Sequence, residues 1–218
     1  MIKINIPNET AQLRAVVVGI AYDFGGIPAL EECYDPKSKE YVKNGVFPCE
    51  KDCISAINAL VTVLKKYDIK VYRPRNISDL NQIFSRDIAF AIGDKLFLPN
   101  IIEDRSSELG AIDIVLNQIK DPDKIKMPKS TRVEGGDVIV WNEYIFVGYS
   151  EKEDFEKYTV ARTNKAGLNF LKTTFPRKKV KGFELRKSDI NSRENTKLGP
   201  EHPAHPFNKN KVDIKLGF

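Results

Sequence analysis

Apolar positions along the 218-residue chain fall into a recurring order. Ala15-Val-Val-Val-Gly-Ile20 is a short apolar run ended by a loop signal, which predicts a buried strand. Residues 22–50 are rich in Gly, Pro, Asp, Lys and Tyr and read as a long surface loop, a feature often functional in compact domains. From Lys51 to Tyr67, Ile54, Ile57, Val61 and Leu64 recur at helical spacing. Ile69 to Arg73 then reads as a strand that Pro74 ends.

Two hairpins follow. Ile88–Ile92 and Lys95–Leu98 flank Gly93-Asp94, and apolar runs around a Gly-Asp pair predict a tight β-turn. Gly136–Val140 and Tyr144–Val147 flank Trp141-Asn-Glu143 in the same manner. After the first hairpin, Leu109, Ile112, Val115, Leu116 and Ile119 predict a helix over 106–119, with Ser106 or Ser107 as its cap. Lys124–Met127 reads as a short strand. After the second hairpin, 163–175 reads as a helix and Lys179–Leu185 as a strand. The order is strand, helix, strand, followed twice by hairpin, helix, strand. This is an internal repeat of about 45–55 residues. One ββαβ unit buries little by itself, so such units are expected to stack around a common axis. Asn195–Phe218 has the look of a fourth unit's beginning, but no helical pattern follows it.

Composition narrows the class. With 41% hydrophobic and 30% charged residues, a globular fold with a real core is expected. No apolar run reaches the ~18 residues that span a membrane. The opening MIKINIPNET lacks the apolar segment of a secretory signal, so the expected address is cytoplasmic. Three cysteines, Cys33, Cys49 and Cys53, do not suggest a disulfide framework. Cys49-x3-Cys53 has loose metal spacing, but no His or second Cys pair completes it, so no metal is expected. From Pro176 onward there are eleven basic and five acidic residues, whereas the remaining 175 carry 24 basic against 25 acidic. The basicity therefore belongs to the tail, which weakens a whole-protein nucleic-acid reading. The cluster Arg177, Lys178, Lys179, Lys181, Arg186 and Lys187 keeps such a reading open for an acidic partner, without the interleaved aromatics of single-strand binders.

Carboxylates sit where apolar strands begin. Glu134-Gly-Gly-Asp137 places two acids around a glycine pair, and Phe84-Ser-Arg-Asp87 places one just before the earlier hairpin. Glycines permit a bend, a bulge or a close backbone approach. In a repeat fold, equivalent positions meet near the axis, so Asp87 and Glu134 are expected to share a pocket. Two carboxylates suit a guanidinium, which offers five N–H donors in a planar fork. The alternative is that Asp87 pairs with Arg86 or caps a turn, and that the glycines form a bulge.

At these residues the chain resembles the guanidino-group-modifying superfamily: amidinotransferases, dimethylarginine dimethylaminohydrolases and arginine deiminases. Four segments carry the resemblance: Asn8–Gly19, Ser85-Arg-Asp87, Val133-Glu-Gly-Gly-Asp137 and Ala161-Arg-Thr-Asn-x-x-Gly167. It implies an α/β fold, a partial pentein-like propeller of about three to three and a half ββαβ units. Residues 1–198 would form an incomplete catalytic domain and 199–218 a degenerate basic tail. It further implies that Asp87 and Asp137 bind substrate, that Glu134 orients a catalytic His, and that Arg105 and Arg162 reach the substrate's carboxylate. The reaction would start with a Cys thiolate attacking the guanidinium carbon, with no cofactor. Water resolves the covalent intermediate in hydrolases and a second amine resolves it in transferases. The long 22–50 loop favours the amidinotransferase branch.

The chain departs from this pattern toward its end. Gly199 stands where the family His is expected, and His202 and His205 are the only histidines. His202 is kept as a displaced candidate. The family Cys lies near the end of a fifth unit, beyond any unit read here. The expectation is therefore a truncated chain, inactive alone, that binds an arginine-like small molecule or has lost turnover. Its exposed unit faces are expected to make the fold marginal and to favour self-association.

Overall fold

The computed structural model describes residues 1–33, 36–152, 155 and 161–185. They form a mixed α/β structure built from one strand–helix–strand unit and two ββαβ units. In the first, β1 (Ala15–Val17) pairs in parallel with β2 (Lys70–Tyr72). Two helices lie between them, α1 (Pro36–Lys43) and α2 (Glu50–Lys66). Val61 and Leu64 of α2 pack with Val18, Ile57 and Val71, so the period-3.6 stripe does bury one face against the sheet.

The second unit opens with a helical turn, α3 (Ser85–Ile88), and a hairpin of β3 (Phe90–Ile92) and β4 (Lys95–Leu98). Gly93, with φ 62°, makes the turn at a conformation that favours glycine. A 3₁₀ helix (Glu103–Ile112) and one α-turn, α4 (Asp113–Leu116), then lead to β5 (Lys124–Lys126), parallel to β4. The third unit repeats the plan. A 3₁₀ turn (Gly135–Asp137) precedes the antiparallel pair β6 (Val138–Trp141) and β7 (Tyr144–Tyr149). Helix α5 (Lys165–Thr174), capped by the Asn164 side chain accepting from the Gly167 amide, leads to β8 (Lys179–Glu184), parallel to β7. The repeat expected from the sequence is present in these sheets, β3-β4-β5 and β6-β7-β8.

Three local expectations need correction. The 22–50 segment is not all loop, because α1 lies within it. Its sequence, PKSKEYVK, has no apolar stripe, so periodicity could not reveal it. Ile88 ends a helical turn rather than beginning a strand; its side chain packs with Ile101 and Ile112. The 106–119 helix begins earlier, is largely 3₁₀, and has no side-chain cap from Ser106 or Ser107. The apolar face was read correctly, since Ile112, Val115 and Ile119 are buried. The extra turn at its start carries the buried Arg105, and Glu108 is buried just after it; a hydrophobic pattern registers neither.

The main core lies between the second and third units. Helix α5 puts Leu168 and Leu171 in one cluster with Val138, Val140, Ile145 and Val147 of its own hairpin and Phe90, Ile92 and Phe97 of the preceding one. Phe97 meets Phe170 edge-on at 6.5 Å and Phe175 at 5.7 Å. The two hairpins end at Ile92 opposite Lys95 and at Trp141 opposite Tyr144. Matching those ends makes Phe90 equivalent to Ile139, Ile92 to Trp141 and Phe97 to Phe146. The equivalent face of the third sheet has no helix over it among the described residues. Ile139, Trp141 and Phe183 are each about half exposed there (51%, 48% and 52%). Trp141, Tyr144 and Phe146 instead stack in a row, with Phe183 tilted against Phe146 and the Lys179 ammonium 5.1 Å from the Tyr144 ring. The aromatics that the basic stretch lacks in sequence are thus brought beside it by β6 and β7. Arg186 and Lys187 lie outside the described residues, as does the Asn195–Phe218 segment.

This equivalence predicts unequal costs for the same deletion. Phe97→Ala removes a fully buried ring and is expected to cost about 3–5 kcal/mol. Phe146→Ala, at the matching position of the open face, is expected to cost about 1 kcal/mol or less. Urea denaturation of both variants measures the difference, and equal losses would show that the two faces are covered alike.

Candidate functional site

The acids singled out in the sequence meet where the second and third units join. Two glycines make the approach possible. A Cβ on Gly135 would collide with the Arg86 carbonyl, and one on Gly136 would lie 2.7 Å from Asp87 Oδ1. A side chain at 135 would push the α3 backbone away, and one at 136 would displace the Asp87 carboxylate. The glycine pair therefore serves close backbone approach inside a 3₁₀ turn, and the bulge alternative does not apply. The Gly136 amide donates to Asp87 Oδ1 at 3.1 Å, fixing the Asp87 carboxylate toward the third unit.

Asp87 does not pair with Arg86. Arg86 donates to both Glu9 carboxylate oxygens, at 2.8 and 3.2 Å, and to the carbonyls of Gly135 and Val138. It pins the N-terminal segment across the junction. Asp87 Oδ2 instead accepts from Arg105 Nη1 at 2.8 Å, and the same nitrogen donates to Glu134 Oε1 at 2.6 Å. The remaining face of the Arg105 guanidinium is held bidentately by Glu108, with Nε to Oε1 at 2.6 Å and Nη2 to Oε2 at 2.8 Å. Arg105, Glu108 and Glu134 are all buried. Burial opposes the Arg105 charge, but the bonds and fields of Glu108 and Asp87 outweigh it and strengthen its hold on the proton. Burial also pushes the Glu108 carboxyl up, against the Arg105 bond that lowers it.

The second oxygen of Glu134 accepts from Arg162 Nη1 at 2.8 Å. Glu134 thus bridges two guanidiniums carried by different units. The third unit positions it through Thr163, whose Oγ1 accepts from the Glu134 amide at 3.1 Å and donates to Asp137 Oδ2 at 2.7 Å. Asp137 Oδ2 also accepts from the Arg162 amide at 3.1 Å. Burial pushes the Asp137 carboxyl up to about 6; the Thr163 bond opposes this and the nearby Glu134 charge adds to it.

Asp87, Arg105, Glu134, Asp137 and Arg162 are therefore brought into one cluster, while His202 lies outside the described residues. Arg105 has its donors turned onto carboxylates rather than outward to a ligand's carboxylate. Two participants, Glu108 and Glu9, escaped the sequence reading. Glu108 carried one usable signal, its i+3 spacing from Arg105; Glu9 is remote in sequence and carried none. Among the described residues the cluster, with Glu9 and Arg86 included, sets five carboxylates against three guanidiniums, an excess of negative charge suited to a cationic ligand rich in N–H donors. The cysteines lie apart from this chemistry in the first unit: Cys33 is buried against the Ala29 carbonyl, Cys49 precedes α2, and Cys53 is on it. Among the described residues no helix is long and apolar enough to cross a membrane.

The raised Asp137 value carries a signed consequence. A carboxyl whose folded pKa exceeds its unfolded value of about 4 favours the fold while protonated, and that advantage disappears as pH rises through about 6. Asp137→Asn keeps an oxygen for Thr163 and Arg162 but removes the charge. Relative to wild type it is expected to be on the order of 2 kcal/mol more favourable at pH 7.5 than at pH 4. Urea denaturation at the two pH values checks this; a pH-independent difference would place the Asp137 pKa at an ordinary value.

No family model matches the chain. The uncharacterized protein YkgA of Bacillus subtilis (strain 168) is 32% identical over 99 residues, which is 44% of this chain and 33% of that protein. Among solved structures, an amidinotransferase of saxitoxin biosynthesis from Microseira wollei, SxtG, matches with a TM-score of 0.62 at 17% identity, over 83% of this chain and 62% of that one. The dimethylarginine dimethylaminohydrolase of Pseudomonas aeruginosa, a cysteine-to-serine mutant complexed with citrulline, matches with a TM-score of 0.60 at 15% identity, over 80% and 62%. The inosamine-phosphate amidinotransferase of Streptomyces griseus matches with a TM-score of 0.57 at 15% identity, over 84% and 63%. The chain spans about three-fifths of the length of these enzymes and a third of YkgA.

Proposed function

From a chain that has the fold of the guanidino-group-modifying enzymes, we propose that it carries the acidic, guanidinium-binding side of an amidinotransferase-like site for arginine or an arginine derivative. One observation carries the reading: Asp87 and Glu134 already close on a guanidinium nitrogen, Arg105 Nη1, at 2.8 and 2.6 Å. The two acids can therefore accept together from one nitrogen of a substrate guanidinium. Asp137, held by Thr163 and the Arg162 amide, lies beside them as a third acid. Arg162, already on Glu134, is the cation nearest to hand for a ligand's carboxylate.

The chemistry proposed for the site is thiolate attack on the guanidinium carbon. The C–N bond then breaks, the departing nitrogen takes a proton and leaves as the amine, and a thiouronium remains on sulfur. A second amine resolves it in a transferase and water resolves it in a hydrolase. Glu134 would steady the imidazolium of a proton-transferring His. The three cysteines of this chain are poor candidates for the thiolate. They lie in the first unit, and burial pushes the Cys53 thiol up, away from ionisation. The chain by itself is thus expected to bind without turnover. The fact that its acid pair is already neutralised by Arg105 favours, as a second reading, a non-catalytic binder of arginine-like ligands.

Isothermal calorimetry with L-arginine tests the shared core of both readings. Asp87→Asn is expected to weaken binding roughly 10–100-fold, the worth of a charge-assisted bond. Absence of Asp87-dependent binding in both the wild-type protein and the Arg105→Met/Glu108→Leu variant sinks the proposal. Incubation with arginine and glycine is expected to yield no ornithine; its appearance would show that the chain is an active transferase.

A further inference from the structure

We propose that Arg105 is an internal stand-in for the ligand: its guanidinium occupies the Asp87–Glu134 cradle, and a guanidino ligand enters only by displacing it. The inference rests on the guanidinium-binding reading above and adds a specificity-determining residue to it. Three features of the structure carry it.

The first is the division of bonds around Arg105. Only Nη1 reaches the cradle, at 2.8 Å from Asp87 and 2.6 Å from Glu134. Nε and Nη2 are both committed to Glu108. The second is that Glu108 rides on the same segment, three residues on. In a 3₁₀ helix, residues i and i+3 eclipse, so the Arg105–Glu108 pair is built into that segment's own geometry. When the segment shifts, Arg105 gives up two bonds but keeps its bidentate partner. The departing guanidinium is never left as an unpaired charge, which removes the main obstacle to moving a buried arginine.

The third feature is the carrier. The 3₁₀ helix over Glu103–Ile112 is ten residues long, where such runs rarely exceed three or four. Its hydrogen bonds are poorer than those of an α-helix, and no side chain caps its start. The opposite wall is fixed by comparison: Asp87 is held by the Gly136 amide, and Glu134 by Thr163 and Arg162. The segment that bears the plug is the yielding side of the site, and the cradle is the firm side. To replace Nη1 a ligand must donate to Asp87 and Glu134 together, and one that reaches only one of them leaves Arg105 in place. Arg105 therefore selects among ligands by competing with every donor that enters the cradle.

The test uses the full chain. Arg105→Met combined with Glu108→Leu removes one positive and one negative charge, so the cluster keeps its net charge. L-arginine is expected to bind this variant at least tenfold more tightly than wild type, with Asp87→Asn still abolishing the gain. Equal or weaker binding, with Asp87 dependence intact, overturns the plug and leaves the guanidinium-binding reading standing. Loss of Asp87-dependent binding in both proteins sinks the underlying reading instead. A second measurement does not depend on how the variant folds. In wild-type protein carrying ¹⁵N-arginine, the Arg105 Nη1 hydrogens are expected to exchange slowly with solvent and to exchange at least tenfold faster at saturating unlabelled L-arginine. Unchanged protection at saturation overturns displacement.

Discussion

Glu134 is bonded through both carboxylate oxygens to guanidiniums from opposite sides of a unit junction, Arg105 of the second unit and Arg162 of the third. Around that bridge, Asp87 and Glu108 complete the Arg105 shell, and Thr163 ties Glu134 to Asp137. Removing two or three charges from water is costly unless each finds good partners. Here the partners come from four separated stretches, so the cluster is satisfied only when both units dock in one register. Any single missing partner would leave a buried charge, which makes the junction specific as well as cohesive. The same bonds hold a concentrated negative charge in place, and the proposed function draws on that charge.

Packing around the junction follows from the repeat. Helix α5 packs in one cluster with its own hairpin and the preceding one, so the third unit closes the face the second leaves open. Phe97 is buried by Phe170 and Phe175, while the matching Phe146 rests among Trp141, Tyr144 and Phe183 on a half-exposed sheet. The aromatic stack lowers the cost of that exposure without removing it. The two glycines at 135 and 136 belong to the same logic: they are small because α3 passes directly above them.

The site combines a rigid wall with a softer one. Asp87, Glu134 and Asp137 are each positioned by backbone amides or by a fully buried threonine. Arg105 and Glu108 instead sit on a long 3₁₀ segment that holds its own charge pair. A site in which an internal cation and an incoming one share the same acceptors trades affinity for selectivity, because only a ligand that donates to both Asp87 and Glu134 recovers what Arg105 gives up.

Hydrophobic period and turn chemistry were enough to find both hairpins, α2, α5 and the repeat, because each of those elements buries an apolar face and ends on a turn signal. The acid pair at Asp87 and Glu134 was also legible, since each lies just before the hairpin of its own unit. Helix α1 was not, because it buries no stripe, and neither was the start of the 3₁₀ segment, because its inward residues are Arg105 and Glu108 rather than apolar ones. What faces the acids could only be decided in three dimensions. A sequence states which residues can donate and accept; it does not state that Arg105 reaches Asp87 across 18 positions and Glu134 across 29, or that Arg86 turns away to Glu9 across 77. Those pairings are set by chain crossings whose energy lies in long-range desolvation and geometry, and no local pattern encodes them.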